Sequence, residues 1–307
     1  MHEAVFQYPG GKARIAPWIA DRLPPPGSFN VFVDVFSGSG SVLLEVMRRC
    51  ERAGERVLFV FNDKDGEIVN FFRVLRDPSL RKQLQEALTW TPYARTEYLA
   101  CLEAPPTDDP VEKARRFFVL RQQSYGGHGH SKGQWQYHLE AGWQKSGPQR
   151  WLSSREKLER FGNLFQKVQV ECLDFADLIR RYDRKAVLFY ADPPYYPDTR
   201  QDNHLYRLEM PRERHQELAE ILNSVKGMAA LSGYRCPEYD EWYSGWERHD
   251  LKVICHLSSV GGEKYQGDKP GRVESLWLNP AAARAGEKKT QQMTLFDLGL
   301  WEEEAAR

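Results

Sequence analysis

An aspartate, two prolines and a tyrosine stand directly after an apolar run, at Asp192-Pro193-Pro194-Tyr195. Each proline fixes its own φ, so the carboxylate and a backbone carbonyl can point into one cleft while the tyrosine ring offers a flat face. Hydrogen bonds from an exocyclic aromatic amine to the Asp192 carboxylate and the Pro193 carbonyl would localise the nitrogen lone pair and orient it toward an electrophile. The pattern predicts catalysis on a planar amine by these four residues.

A glycine-rich turn follows an apolar run nearer the amino terminus. The run covers residues 30–36 and leads into Ser-Gly-Ser-Gly at 37–40. Glycines let a ligand approach the backbone, and the start of the following helix favours polar groups. Such a turn can also be a plain tight connection between a strand and a helix. The residues predicted to bind a cofactor here are Asp34, Phe36, Gly38, Ser39 and Gly40.

Asp63 ends the next apolar run, 23 positions after Gly40. Nucleotide-binding α/β folds place an acidic residue at about this distance, where it binds ribose hydroxyls. Asp63 is therefore predicted to bind a ribose, and it can cap the following helix at the same time.

A third cluster, residues 6–12, lies before the first strand and combines an aromatic residue, a turn and a cation. Its alternative interpretation is a simple amino-terminal turn.

The segments between these clusters alternate between strands and helices. The predicted strands cover residues 30–36, 56–62, 168–171, 186–191, 228–231, 246–257 and 272–278. The predicted helices cover residues 41–51, a segment after Asp63 through Leu75, a short segment from about Phe175, and residues 211–225. Alternation of this kind predicts an α/β fold with a parallel sheet.

The alternation stops after Asp77-Pro78, and residues 79–165 read as mainly helical around an interruption from Tyr125 to Gly147. We predict a discontinuous catalytic domain at 1–77 and 166–280, an inserted domain at 78–165 and a flexible tail at 281–307. The whole chain carries 43 basic and 43 acidic residues, yet residues 113–160 hold ten Lys/Arg and three Asp/Glu. This basic stretch is suited to binding nucleic-acid phosphates.

Composition restricts the class of protein. A chain of 307 residues with 41% hydrophobic content can bury one large core. Because no stretch of eighteen apolar residues and no secretory pattern is found, a soluble, cytoplasmic protein is expected. The five scattered cysteines predict reduced thiols. No metal is predicted, since Cys236, His249, Cys255 and His256 match no common zinc spacing.

Taken together and in order, the clusters resemble the Dam-type DNA adenine methyltransferases. The resemblance covers about residues 4–280 and is carried by the segments 8–12, 34–40, 62–63, 174–175, 192–195 and 272–279. In that family the cofactor motifs come first, a target-recognition domain is inserted next, and the catalytic tetrapeptide follows. The resemblance implies a Rossmann-like sheet with a mainly helical insertion, S-adenosyl-L-methionine as the methyl donor and double-stranded DNA as the partner.

The resemblance also implies a role for each matching residue. Tyr8 and Lys12 help to hold the cofactor, Phe36–Gly40 surround its amino-acid portion, and Asp63 binds its ribose. Asp174 and Phe175 lie near its adenine ring, and Tyr195 stacks on a target adenine extruded from the duplex. The cofactor-binding residues are thus Tyr8, Gly10, Gly11, Lys12, Asp34, Phe36, Gly38, Ser39, Gly40, Asp63, Asp174 and Phe175.

A segment of the insertion is similar to the DNA-reading hairpin of that family, with aromatics that can wedge into the base stack. Gly126 stands where the family usually has an asparagine. A small core formed by Trp135, Tyr137 and Trp143 is the alternative interpretation. The residues predicted to contact DNA are Arg121, Tyr125, Gly126, Gly127, Lys132, Trp135 and Tyr137.

The charged carboxyl-terminal tail contains Gln-Met-Thr-Leu-Phe at 292–296. The pentapeptide resembles the motif by which bacterial DNA polymerases and repair proteins dock on the sliding clamp, and a short tail peptide can order on docking. Gln292, Leu295 and Phe296 are therefore predicted to bind the clamp. In the alternative, the two apolar side chains fold back onto the enzyme.

Three other functions compete with adenine methylation of DNA. An enzyme of the same fold could methylate RNA or a protein glutamine, and another could methylate the cytosine amine, although Ser rather than Asp usually opens the loop in enzymes that resemble that class. A DNA-binding protein without catalysis would have little reason to retain buried acids at 63 and 192. A bacterial or phage origin is expected, in a restriction-modification system, a mobile element or as an orphan enzyme.

Overall fold

The chain alternates strands and helices on both sides of a long helical stretch. A computed structural model describes residues 4–137, 147–197, 209–254 and 271–287. The strands are β1 (Val31–Asp34), β2 (Leu58–Asn62), β3 (Val168–Glu171), β4 (Val187–Ala191), β5 (Met228–Tyr234), β6 (Glu247–Ile254) and β7 (Gly271–Leu278). The α-helices are α1 (Ala16–Arg22), α2 (Ser41–Arg52), α3 (Gly66–Arg76), α4 (Pro78–Thr89), α5 (Arg95–Glu103), α6 (Pro110–Gln122), α7 (Gly147–Glu156), α8 (Leu158–Phe165), α9 (Phe175–Tyr182), α10 (Arg212–Ser224) and α11 (Pro237–Trp242). Residues 280–287 are also helical.

These strands form one sheet in the order β3-β2-β1-β4-β5-β7-β6. The pairs from β3 to β5 are parallel, whereas β7 is antiparallel to both β5 and β6. The chain order reverses between β1 and β4, where Asp34 lies opposite Tyr190. Ligands of α/β sheets bind beside the carboxyl ends of the strands at such a reversal. The topology confirms the predicted α/β, Rossmann-like class.

Alternate residues of each strand supply the cores on the two faces of the sheet. In β1, Phe32 belongs to one hydrophobic cluster and Val33 to the other. Helices α1 to α8 contribute to the first cluster, and α9 to α11 to the second. Since both faces are covered, the central strands β1, β2 and β4 consist almost entirely of apolar residues, as expected for a buried parallel sheet, whereas β6 at one edge is largely polar.

The helices of residues 78–165 pack onto the sheet domain through α3, which contacts α4, α6 and α8. Phe71 of α3 stacks on Phe118 of α6, with ring centroids 5.6 Å apart, and Phe72 stacks on Phe165 of α8 at 4.3 Å. Stacked rings of this kind add to the stabilisation from apolar burial. The helical stretch and the first face of the sheet therefore share one hydrophobic core.

Within the ranges that the structure describes, no helix combines the length and apolar character needed to cross a membrane.

Candidate active site

The glycine-rich turn lies where β1 ends and α2 begins, beside the carboxyl end of β4. Gly40 is the N-cap residue of α2 with φ of 71°, and Gly38 has φ of 51°. Side chains other than that of glycine rarely adopt these values. A Cβ on Gly38 would also lie 3.0 Å from the ring of Tyr8. The turn therefore brings the start of a helix and an aromatic ring together.

One cavity beside this turn collects most of the predicted cofactor-binding residues. It is lined by Tyr8, Gly10, Gly11, Lys12, Asp34, Phe36, Gly38 and Ser39 from that set, by Asp192 from the predicted catalytic set, and by Pro9, Ser37, Ser41, Val42 and Tyr190. The predicted cofactor-binding and catalytic residues outside its lining are Gly40, Asp63, Asp174, Phe175, Pro193, Pro194 and Tyr195. Residues from the amino-terminal segment, from β1 and the turn after it, and from β4 and the tetrapeptide thus meet in one place.

Asp63 joins the turn to the end of β2. Its carboxylate accepts hydrogen bonds from the N–H groups of Gly38 and Asp65, each at 2.9 Å. Burial raises the pKa of Asp63 to about 6, although both N–H donors oppose the rise. Asp63 does not cap α3, because Asp65 is the N-cap residue and accepts from the Glu67 N–H. The predicted ribose-binding acid therefore holds the turn, and the helix is capped by its neighbour.

Asp34, at the end of β1, is 2% exposed. Its Oδ1 has no hydrogen-bond donor among the residues that the structure describes. Burial, together with the charges of Asp192 and Asp63, raises the pKa of Asp34 well above its usual range. A buried acceptor without a donor is costly, so this oxygen is suited to a ligand that carries N–H groups or positive charge.

Lys12 connects the amino-terminal cluster to the catalytic tetrapeptide. It is 5% exposed, and its Nζ lies 2.8 Å from Asp192 Oδ1, 3.2 Å from Glu274 Oε1 and 2.9 Å from the Tyr195 hydroxyl, to which it donates. Burial lowers the pKa of Lys12, but the charges of Asp192 and Glu274 outweigh this and raise it overall. Lys12 therefore stays charged, and it contacts two of the predicted catalytic residues, Asp192 and Tyr195, as well as Glu274.

The tetrapeptide follows β4 directly. Burial raises the pKa of Asp192, and the charge of Lys12 opposes the rise. Lys12 pairs with Asp192 Oδ1 as an ion pair, and within the described ranges this oxygen accepts no hydrogen bond of good geometry. The Tyr195 ring is 7% exposed and stacks on the ring of Tyr234 with centroids 4.2 Å apart. Asp192 is thus an ionised acceptor beside a fixed aromatic wall.

The predicted adenine-ring contacts, Asp174 and Phe175, lie at the start of α9. Asp174 caps this helix by accepting from the Ala176 N–H, and it pairs with Lys64 at 2.8 Å and with Arg214 at 2.5 Å. Burial raises the pKa of Asp174, yet these donors outweigh it and lower the pKa to about 2. Phe175 lies 5.7 Å from the ring of Phe36, which lines the cavity. The two rings form an apolar surface next to it.

The predicted DNA-reading segment leaves α6 as an irregular loop with two 3₁₀ turns, Tyr125–Gly127 and Lys132–Gln134. It closes through a bridge between Ser124 and Trp135. A Cβ on Gly127, which has φ of 75°, would lie 2.4 Å from the Gln7 carbonyl oxygen. The loop therefore packs on the amino-terminal segment that leads to the cavity.

Aromatic rings extend along this loop. Tyr125 is 37% and Tyr137 47% exposed, and the Tyr125 hydroxyl donates to the Tyr137 carbonyl at 2.7 Å. Trp135 lies parallel to Tyr137 with centroids 6.1 Å apart, and the Arg95 guanidinium lies 4.8 Å from the Trp135 ring centroid. These side chains form a layered, partly exposed aromatic stack.

Two of the predicted DNA contacts have other partners in the structure. The Arg121 guanidinium donates to the carbonyls of Gly127 and His128 and lies over the Tyr8 ring. Lys132 forms an ion pair with Glu103. Arg121 therefore stabilises the loop itself. On the far side of Tyr8 a cleft of roughly 770 Å³ opens between α5, α6 and the loop.

Sequence reasoning missed three residues of the site: Glu274, Tyr234 and Arg95. Glu274 and Tyr234 are opposite each other on β7 and β5 and reach the tetrapeptide from there. The one signal for Glu274 in the sequence was its place in the segment 272–279, which carries part of the family resemblance. The clamp residues Gln292, Leu295 and Phe296 lie outside the described residues, as do Trp143, Cys255 and His256. Among the described residues, no cluster of three or more His, Cys, Asp or Glu side chains could hold a metal ion.

Comparison with known proteins agrees with the geometry. A family model described as D12 class N6 adenine-specific DNA methyltransferase matches residues 8–257. The chain is 24% identical over 276 residues to the DNA adenine methylase of Salmonella typhi, with 87% of this chain and 94% of that protein covered. It is 23% identical over 286 residues to the DNA adenine methylase of Escherichia coli K12, with 89% and 97% covered. The predicted family, reaction and substrate class are thereby confirmed, and the chain belongs to the D12 class of N6 adenine-specific DNA methyltransferases.

Proposed function

We propose that the cavity at the β1–β4 reversal binds S-adenosyl-L-methionine and that Asp192 accepts the N6 amine of an adenine extruded from duplex DNA. The observation that carries this proposal is a pair of buried oxygens, Asp34 Oδ1 and Asp192 Oδ1. Both residues line one cavity; among the described residues Asp34 Oδ1 has no hydrogen-bond donor, and Asp192 Oδ1 has only the Lys12 ammonium, 2.8 Å away. A cationic cofactor and an amine substrate would supply further donors to these two acceptors.

The donor set fits the cofactor. Asp34 would face its ammonium group, the start of α2 would favour its carboxylate, and Asp63 would accept its ribose hydroxyls. Phe36 and Phe175 supply an apolar surface for its adenine ring. When bound, the cofactor supplies a methyl group on a positively charged sulfur.

Asp192 and the Pro193 carbonyl would each accept a hydrogen bond from the target amine. These bonds localise the lone pair and orient the nitrogen before transfer, which accelerates a reaction that needs no covalent enzyme intermediate. Lys12 keeps Asp192 ionised at 2.8 Å, so that the carboxylate accepts rather than donates. Tyr195, fixed against Tyr234, would form a wall of the site for the extruded base.

The aromatic stack beside the loop supports a DNA-binding role for the insertion. Exposed rings such as Tyr125 and Tyr137 can enter a base step and assist extrusion of the neighbouring base. Arg95 is exposed, and within the described part of the chain it forms no ion pair. Its guanidinium, held over Trp135, is available to a phosphate or a base edge.

The test is methyl transfer from labelled S-adenosylmethionine to unmethylated duplex DNA, with the product nucleoside identified by mass spectrometry. We expect N6-methyladenosine from the wild type. Asp192→Asn should lower the transfer rate by roughly 1,000-fold or more while cofactor affinity stays nearly unchanged. Asp177→Asn, at an exposed acid on α9, is the matched control. Wild-type transfer by Asp192→Asn, or joint loss of transfer and cofactor binding, would contradict the assigned role.

The tail peptide carries a separate proposal, docking of Gln292, Leu295 and Phe296 on the bacterial sliding clamp. Its support is the sequence motif alone. A pull-down of purified clamp by the full chain tests it. Docking requires that the Leu295→Ala, Phe296→Ala double variant lose the clamp, and equal recovery by both proteins would refute it.

A further inference from the structure

Glu274 lies at the edge of the sheet where the parallel strands end, although it comes early in β7. Because β7 is antiparallel to β5, its first residues pair with the last residues of β5, and Glu274 lies opposite Tyr234. The Tyr234 ring stacks on Tyr195. The reversed direction of this one strand therefore brings a carboxylate to the catalytic tetrapeptide.

The environment of Glu274 gives it few partners. The residue is 4% exposed, its Oε1 lies 3.2 Å from Lys12 Nζ, and its Oε2 accepts from the Tyr195 hydroxyl at 3.4 Å. Burying a carboxylate is unfavourable unless a cation and hydrogen bonds compensate for the lost water. Glu274 and Lys12 therefore depend on each other for their charges.

Lys12 lies between two carboxylates, with Asp192 at 2.8 Å and Glu274 at 3.2 Å. An ammonium group paired with Asp192 alone would compete with the target amine, since both donate N–H groups to the same carboxylate. Attraction to Glu274 on the other side limits how closely Lys12 can associate with Asp192. The third partner, the Tyr195 hydroxyl, accepts a hydrogen bond from the ammonium at 2.9 Å and so helps to fix its position.

We infer that Glu274 is a positioning residue for methyl transfer, which holds the Lys12 ammonium between two carboxylates so that Asp192 remains ionised and still accepts the target amine. This inference rests on the proposed role of Asp192. Glu274 acts through Lys12 and Tyr195 and does not touch the substrate. The charged groups that face the cluster are Lys12, Asp192, Asp34 and Glu274, with the hydroxyls of Tyr190 and Tyr195.

A double-mutant cycle tests the inference, with single-turnover transfer to duplex DNA and cofactor dissociation constants measured for each protein. Glu274→Gln keeps the shape and should lower the transfer rate by roughly tenfold to 100-fold, as expected for coupled groups in one charge network. Its cofactor dissociation constant should stay within about threefold of wild type, because the loss falls on transfer and not on binding. The double variant Lys12→Met, Glu274→Gln should transfer no more slowly than Lys12→Met, since Glu274 acts through the lysine. If the rate losses of the two single variants instead multiply in the double variant, the inference is overturned.

Two further variants separate the possible outcomes. Glu45→Gln is the matched control, because Glu45 is a buried glutamate whose cations, Arg48 and Arg49, lie on the same helix α2. Glu274→Asp retains the negative charge on a shorter side chain, and this variant should transfer the methyl group faster than Glu274→Gln. If the glutamine variant fails to fold, the aspartate variant is measured in its place. A wild-type rate in Glu274→Gln with an inactive Asp192→Asn overturns the inference alone. An active Asp192→Asn overturns the proposed function as well.

Discussion

Replacing Lys12 by methionine removes the cation around which two buried carboxylates are arranged. The lysine is 5% exposed and lies within 3.2 Å of both Asp192 and Glu274, while Asp34 is a further buried acid in the cavity that Lys12 and Asp192 line. Methionine preserves most of the apolar stem, so the change is mainly loss of the charge. Removal of one partner from a buried ion pair costs about 3–5 kcal/mol. We expect Lys12→Met to lower the free energy of unfolding by about 4 kcal/mol near pH 8.

The size of this loss should depend on pH in a defined direction. Burial raises the pKa values of Asp192 and Glu274, and Lys12 opposes the rise, so without Lys12 both carboxyls take up protons at higher pH. A carboxyl whose pKa is higher in the folded state destabilises the fold as the pH rises above its unfolded value. The pKa of Lys12 is raised, since the carboxylates outweigh its burial, so the wild-type lysine is charged throughout this range. The difference between wild type and variant is therefore largest near pH 8 and shrinks toward pH 5.

Urea unfolding of wild type and Lys12→Met, without cofactor, at about pH 5 and about pH 8 measures both effects. Lys132→Met, at an exposed lysine paired with Glu103, is the control and should change stability by less than about 1 kcal/mol. An equal loss at both pH values, or a larger loss at the lower one, would refute the charge-pairing argument.

Three more predictions concern the cofactor site, the loop and the aromatic stack. Affinity for S-adenosylmethionine should fall roughly tenfold per pH unit below about 6, because burial raises the pKa of Asp63 to about 6 and protonation removes an acceptor. For the Asp63→Asn variant, titration calorimetry should show weak binding at every pH, without this dependence. Gly127→Ala should lower the free energy of unfolding by about 1–3 kcal/mol, because the φ of Gly127 is 75° and the new Cβ would lie 2.4 Å from the Gln7 carbonyl oxygen. A melting temperature equal to that of the wild type within error would contradict this. Arg95→Ala should weaken binding to duplex DNA about tenfold, measured by fluorescence anisotropy. Arg52→Ala, at the exposed end of α2, is the control and should have no effect. If the two variants bind DNA with equal affinity, Arg95 is not part of the DNA-binding surface.

The sequence predicts the sheet well because its strands are short apolar runs that end in polar or glycine residues. Predicted 168–171 and 186–191 agree with observed β3 and β4 to within one residue. β1 ends two residues earlier and β2 begins two residues later than predicted. β5 continues for three residues beyond its predicted end, to Tyr234 rather than Leu231. Its last residues, Ser-Gly-Tyr, carry no strand pattern and are extended because β7 pairs with them. Tertiary pairing, which a local pattern does not contain, determines that end.

The candidate site likewise has one part that local sequence patterns predict and one part that depends on tertiary contacts. The residues that meet at the β1–β4 reversal lie in recognisable motifs, and their meeting follows from the parallel order of the strands. Glu274 could not be identified, because its partners Lys12 and Tyr195 lie far away in sequence and its position depends on the register of the antiparallel strand. Nothing local to Asp174 in the sequence indicates its ion pairs with Lys64 and Arg214, because these cations come from separate elements.

The contact between Lys12 and Glu274 joins the first segment of the chain to its last strand. Contacts between residues so distant in sequence form slowly, since the entropy of closing the intervening loop must be paid first. During synthesis Glu274 emerges 262 residues after Lys12. A nascent chain that ends before β7 can assemble the glycine-rich turn and the tetrapeptide, but not the complete charge cluster. Completion of this cluster is therefore a late event in folding.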